Sequence, residues 1–323
     1  MPFCRSSTVF AAVLIGTAVG LMPRPATAAP GPKPFPATPE GVTITRGVTY
    51  LAPDRKETLD LYLPASRAAG ARSPGIVIIH GGGWSGGSNE GGREFEEGTT
   101  LAKAGYVCAS VAYRVSKHDR WPTNVYDCKN AVRFLRKNAA VYGVDTDHIG
   151  VIGGSAGGHL ALMVGYTSDV PALEPPSPYP GISDKVQAVV DMYGISDVRT
   201  RKNIAPDGTP GVIGPQSKSV FGDKPDVTDA DFARASPTAH ISATTPPTLI
   251  LHGTADTTVD RDQSITLDKL LTGQKVEHQL ILIPGIGHTF DLERWNGKPL
   301  PFDLRPIVLR FFDSHLKTQT AKG

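Results

Sequence analysis

The chain has 323 residues, 40% of them hydrophobic and 20% charged, the make-up of an ordinary globular protein rather than a collagen-like or disordered one. That length suits one large domain or two small ones. Its 33 basic and 31 acidic residues leave a net charge of only +2, which argues against nucleic acid as a partner.

Both surplus bases, Arg5 and Arg24, fall within the first 28 residues. This segment reads as an export signal. Arg5 supplies a positive start, and Val9 to Leu21 is an apolar run too short to span a bilayer comfortably. Ala26-Thr27-Ala28 is a small-x-small cleavage site, so the mature chain is expected to begin at Ala29, in the periplasm or outside the cell. An uncleaved anchor is the alternative. No later stretch is apolar enough to cross a membrane. Export leaves Cys108 and Cys128, one on a predicted strand and one on the next helix. A disulfide and two buried free thiols both stay open.

Residues 29–41, APGPKPFPATPEG, are proline-rich and predict an extended linker. Val42 to Leu51 and Thr58 to Leu63 alternate apolar and polar residues, as an antiparallel opening pair does. Gly75 to Ile79 is short and wholly apolar, which fits a strand buried on both faces of a parallel sheet. It runs directly into His80-Gly81-Gly82-Gly83-Trp84. Glycines after a buried strand let the backbone approach a ligand and aim amides into a cavity.

Helices are predicted over Glu94–Ala104 and Asn124–Tyr142. The second carries Val125, Cys128, Ala131, Val132, Leu135 and Ala139 as one apolar stripe. Tyr106–Tyr113 is a buried strand between them. Ile149 to Leu162, IGVIGGSAGGHLAL, passes from an apolar strand to a helix start through Gly153-Gly154-Ser155-Ala156-Gly157-Gly158. That G-x-S-x-G turn pushes a serine up and out of the sheet, at the positive end of the following helix.

Beyond it, 168–184 is irregular and Val186–Met192 is a strand. Residues 194–247 hold much Gly, Pro, Asp and Ser with little periodicity, and predict a cap insertion with a few short helices bordering the site. Thr248–Leu251 and His278–Ile283 are strands, with Asp262–Thr272 a helix between them and Leu304–Leu316 a closing helix. The predicted whole is one α/β domain over 42–317, with a mostly parallel central sheet, helices on both faces and an inserted cap.

A serine hydroxyl needs a base, and the base needs a carboxylate. Ser155, Asp256 and His288 each follow a predicted strand, and parallel strands end along one edge, where ligands bind. Their order along the chain, Ser then Asp then His, is that of α/β hydrolases. Asp260 and Asp262 are alternative acids. His80 is expected to brace its loop, His252 to be structural, and His159 to pack or cap. Trp84 is expected to line an acyl pocket or cover the sheet edge. Arg199, Arg201 and Lys202 are expected to form a solvated face, with binding of an acidic sugar as the alternative.

The motifs HGGGW, GGSAGG, LILHGTAD and IPGIGHTF, with WPTNVYDCKNAVRFLRKNA over 121–139, resemble the α/β-hydrolase esterases, and within them the acetyl xylan esterase and feruloyl esterase group. HGGG adds an affinity to the hormone-sensitive lipase type. The resemblance covers roughly 42–316. It departs from the lipase-like pattern at Gly154, where many of those relatives carry an acid, and in lacking their long helical N-terminal cap.

The resemblance implies Ser155 as nucleophile, His288 as base then acid, and Asp256 as the group that orients His288. It implies an oxyanion hole from the amides of Gly82 and Gly83, with Trp84 as a further candidate, joining that of Ala156, and neither cofactor nor metal. The expected substrate is a small acyl ester or an acylated polysaccharide, acetyl xylan first. Feruloyl esterase, general short-chain carboxylesterase and a prolyl-oligopeptidase-type peptidase are alternatives within enzymes. A non-catalytic binding module is the alternative outside them.

Overall fold

The computed structural model describes Met1 and residues 35–318 except 69, 169, 206, 207 and 213–218. The export signal, most of the proline-rich stretch and parts of 194–247 therefore lie outside the described residues. One compact unit begins at Thr38 and takes in the described residues beyond it.

In chain order the first elements are β1 Val42–Thr49, β2 Thr58–Pro64, β3 Ser73–Ile79, α1 Gly92–Lys103 and β4 Val107–Val111. Next come α2 Thr123–Lys137, α3 Ala139–Tyr142, β5 Val144–Gly154, α4 Ala156–Tyr166, β6 Ala188–Met192, β7 Lys202–Ile204 and β8 Pro210–Val212. The rest are α5 Asp229–Arg234, β9 Thr248–Gly253, α6 Asp262–Gly273, β10 His278–Ile283, β11 Arg294–Trp295, β12 Lys298–Pro299 and α7 Arg305–Leu316.

Eight strands form the sheet in the order β1-β2-β4-β3-β5-β6-β9-β10. β1 and β2 pair antiparallel, β2 joins β4 antiparallel, and every pairing from β4 to β10 is parallel. This is the predicted α/β-hydrolase architecture. It follows from the apolar strands: Val77 and Ile79 face the layer holding α2, α4 and α6, while Ile76 and Ile78 face the layer holding α1 and α7. A strand covered on both sides can be apolar at every position.

The two layers also answer the cysteine question. Cys108 points from β4 into the α1/α7 layer, and Cys128 sits on α2 in the opposite one. The sheet separates them, and both are free, buried thiols.

The single helix predicted over 124–142 breaks at Asn138. Its side-chain amide donates to the Phe134 carbonyl at 2.9 Å, a local bond that competes with helix continuation. The irregular stretch 168–184 is tied to α2 by charge. Buried Lys129 donates to the Thr167 carbonyl and to Glu174, each at 2.8 Å, and Arg133 grips Asp184 at 2.6 and 3.0 Å. Within 194–247 the described residues include the β7–β8 hairpin, α5 under a Thr228–Asp231 capping box, and a 3-10 turn at Pro237–His240. The hairpin was not anticipated; three-residue strands carry too little pattern to read.

Candidate active site

β5 ends at Gly154 and α4 begins at Ala156, so Ser155 is the whole connection. Its backbone takes φ 59° and ψ −123°, a region that non-glycine residues seldom occupy. The neighbours make room for it. A Cβ on Gly157 would lie 2.1 Å from the Ile79 carbonyl, and one on Gly153 would lie 2.3 Å from the Gly157 carbonyl. The turn thus packs backbone to backbone against the end of β3, and α4 presents the amide of Ala156, free of an intrahelical partner, beside the Ser155 hydroxyl.

β9 and β10 end on the same sheet edge and bring the other two candidates. Ser155 Oγ lies 2.9 Å from His288 Nε2, and His288 Nδ1 lies 2.6 Å from Asp256 Oδ2. Facing a carboxylate, Nδ1 carries the ring proton, which leaves Nε2 to accept from the serine. Asp256 Oδ1 also accepts from the amides of Thr258 and Val259, at 2.8 and 3.0 Å. Burial works to raise the Asp256 pKa. Hydrogen bonds from His252, His288 and the Val259 amide outweigh it and hold the carboxyl well below the usual range. It is therefore an anion facing His288 at neutral pH.

His288 is held from two further sides. The Trp295 indole donates to its carbonyl at 2.8 Å, and the Tyr193 ring stands edge-on at 4.9 Å. The alternative acids are elsewhere: Asp260 accepts from the Lys202 amide at 2.7 Å, and Asp262 is exposed near Lys202 Nζ at 3.8 Å. His252 is structural as expected, fully buried between Ser264 Oγ at 2.7 Å and the Val259 carbonyl at 3.0 Å.

The glycine loop after β3 lies opposite. Gly82 has φ 109°, and a Cβ there would meet the Gly86 carbonyl at 2.3 Å; that carbonyl closes against the turn. Among the described residues, the amides of Gly82, Gly83 and Trp84 are not spent on backbone carbonyls. His80 braces the loop as expected. Its Nδ1 donates to the Gly81 carbonyl at 2.6 Å, its ring stacks on Tyr113 at 4.2 Å, and burial pulls its pKa down.

Trp84 packs into the core rather than lining the groove. It is fully buried, with its indole donating to His159 Nδ1 at 3.1 Å. His159 in turn donates from Nε2 to the Ala235 carbonyl at 2.7 Å, and burial lowers its pKa to about 4, so it stays neutral.

Between these parts runs an open groove of about 500 Å³, lined in part by Gly82, Gly83, Arg93, Ser155, Arg201 and His288. One of those residues, Arg93, was missed in the sequence, and another, Arg201, was read chiefly as surface charge. Arg93, in the first turn of α1, donates to Tyr193 Oη at 2.8 Å and pairs with Glu94 and, at 3.6 Å, with Glu97. A signal was present: a cation in a first helical turn opposes the helix dipole and needs a tertiary reason. Arg201 was expected on a solvated face. Instead it is half-buried, and its guanidinium lies 5.7 Å from the centre of the Trp84 ring. Among the described residues no cluster of three or more His, Cys, Asp or Glu is placed to hold a metal, and no helix is long and apolar enough to cross a membrane.

Residues 59–271 match the BD-FAE family. The esterase LipQ of Mycobacterium tuberculosis is 29% identical over 249 residues, which is 77% of this chain and 58% of LipQ. The chain thus spans little more than half the length of that relative. A truncated carbohydrate esterase from gut microbiota superimposes with a TM-score of 0.71 at 26% identity, covering 87% of this chain and 99% of the other. Esterase 2 of Thermogutta terrifontis, phosphorylated by paraoxon, gives 0.65 at 27% identity, covering 86% and 94%. The fold, the ordered Ser–His–Asp contacts and the family match converge: this chain belongs to the BD-FAE family of α/β-hydrolase esterases.

Proposed function

We propose that the chain is a secreted serine carboxylic ester hydrolase that works through an acyl-enzyme and removes short acyl groups, acetyl first, from plant polysaccharide. The observation that carries the reading is the pair of contacts at 2.9 and 2.6 Å that link Ser155 to His288 and His288 to Asp256. In this reading His288 Nε2 takes the Ser155 proton as Oγ attacks the ester carbonyl. Asp256 stabilises the imidazolium, and the amides of Ala156 with Gly82 and Gly83 hold the oxyanion, each donor worth roughly 3 kcal/mol. His288 then protonates the departing alcohol, and water repeats the sequence to release the acid.

Two observations support a small acyl group on a polar alcohol. The groove's lining is glycine, serine, threonine, histidine and charged side chains, with no bulky apolar residue among them. One structural relative is a carbohydrate esterase. A groove of about 500 Å³ also has the volume for an aromatic acyl group, which keeps feruloyl esterase as the second reading. Export rests on Arg5, the Val9–Leu21 run and Ala26-Thr27-Ala28.

The test is acetate and ferulate release from acetylated, feruloylated xylan, with Ser155→Ala as control. Acetate alone, lost in the variant, supports the first reading; ferulate moves it to the second. Neither product, with small esters still cleaved, sinks the polysaccharide assignment. Paraoxon, which phosphorylates the Thermogutta terrifontis relative, is expected to silence this chain by modifying Ser155.

A further inference from the structure

We propose that Arg201 is a specificity-determining residue that binds a carboxylate carried by the ester substrate. The proposal rests on the ester-hydrolase reading above and deepens it.

The three cations of this stretch differ in their partners. Arg199 is locked to Asp197 by bonds of 3.0 and 2.8 Å, and Lys202 Nζ sits 3.8 Å from Asp262. Arg201, between them, turns the other way and lines the groove with Ser155 and His288. Among the described residues it has no ion-pair partner, and its Nε is buried without a hydrogen bond. Asp260 and Asp256 act on it only through space.

The groove's other cation cannot serve in the same way. Arg93 already has Glu94, Glu97 and Tyr193 Oη around it. Among the described residues Arg201 is therefore the groove's guanidinium without a direct carboxylate contact. A half-buried cation without a partner is an unfavourable arrangement that a ligand anion relieves.

The guanidinium is also held in place. Trp84 gives it a flat face, and Trp84 is itself fixed by His159 on α4, whose amide bonds to the Ser155 carbonyl at 3.0 Å. The ring beside the guanidinium is thus tied to the elbow that carries Ser155. One rigid fork matches one carboxylate through two parallel hydrogen bonds. The carboxylate can come from the acyl side, as in a dicarboxylic hemiester, or from the alcohol side, as in an acylated uronic acid.

Two substrate pairs separate these sources: 4-nitrophenyl hemisuccinate against 4-nitrophenyl butyrate, and acetylated methyl glucuronoside against acetylated methyl glucoside. The readout is the ratio of kcat/KM, carboxylate over neutral, in the parent, Arg201→Gln and Arg201→Lys. In one pair, Arg201→Gln is expected to lower the ratio about tenfold or more, the worth of one charge-assisted hydrogen bond, chiefly through KM. Arg201→Lys is expected to restore part of it, since it keeps the charge without the fork.

A ratio unmoved in both pairs overturns the proposal. So does an equal fall for both members of each pair, which would make Arg201 only a prop for Trp84. If the parent cleaves none of the four, the hydrolase reading fails on its own, and calorimetry with glucuronate and succinate decides the site. Binding to the parent that Arg201→Gln abolishes upholds it; no binding, or equal binding, overturns it.

Discussion

Arg93 occupies the space that a side chain at position 154 would need: a Cβ on Gly154 would lie 2.3 Å from Arg93 Nη1 and 2.8 Å from Tyr193 Oη. The glycine before the serine, a departure from the lipase-like motif, thus leaves room for the Arg93–Tyr193 pair. Gly154→Asp is expected to dislodge Arg93 from Tyr193 and lower stability by about 1–3 kcal/mol, the usual cost of overpacking. Adding Arg93→Ala should recover much of that loss. Thermal unfolding of the two single variants and the double variant gives the coupling. Additive losses would show that the two positions do not share the space.

Ser155→Ala and His288→Ala are each expected to lower kcat by roughly 10⁶ on a small ester, and the double variant should be no worse than either, because the residues act as one unit. Asp256→Asn should cost roughly 10⁴ through loss of the tautomer that its carboxylate selects. Steady-state rates on 4-nitrophenyl acetate check all four. Independent, additive losses would contradict the hydrogen-bonded chain of 2.9 and 2.6 Å.

Gly82→Ala should disturb the proposed oxyanion loop rather than the sheet. The φ of 109° and the 2.3 Å approach of the Gly86 carbonyl leave no place for a methyl group. Loss of one aligned amide is expected to reduce kcat by about 10² to 10³. A variant with normal kcat would remove Gly82 from the hole.

Asp191, buried on β6 next to the first turn of α4, predicts a pH effect on stability. Burial raises its pKa to about 7, with His252 and the Gly194 amide offsetting only part of the rise. The folded state holds a proton that the unfolded chain, near 3.8, has released. Stability from this group is therefore full below about pH 4, falls as pH rises from about 4 to 7, and stays low above that. Asp191→Asn cannot ionise, so its melting temperature should gain on the parent's between pH 5 and pH 8. A gap that does not change with pH would sink the argument.

The free thiols give a simpler check. Cys108 and Cys128 lie on opposite faces of the sheet, and burial pushes both thiol pKa values up. A reductant should leave the melting temperature unchanged. A drop would point to a disulfide and to a different placement of α2.

By itself the sequence determined the layered α/β architecture, because apolar runs such as Gly75–Ile79 and Thr248–Leu251 have only one stable setting: a parallel strand covered on both sides. Ser155, Asp256 and His288 were legible for the same reason, since each follows such a strand and parallel strands end along one edge. What tertiary structure alone decided is which distant side chains meet. Arg93 and Tyr193 are 100 positions apart, and Trp84 and His159 are 75 apart, so no local period could have paired them. Arg201 looked like surface charge because a run of three cations usually is solvated. Only the packing of its segment over Trp84 turned one of them toward the groove, where among the described residues its half-buried guanidinium meets no ion-pair partner.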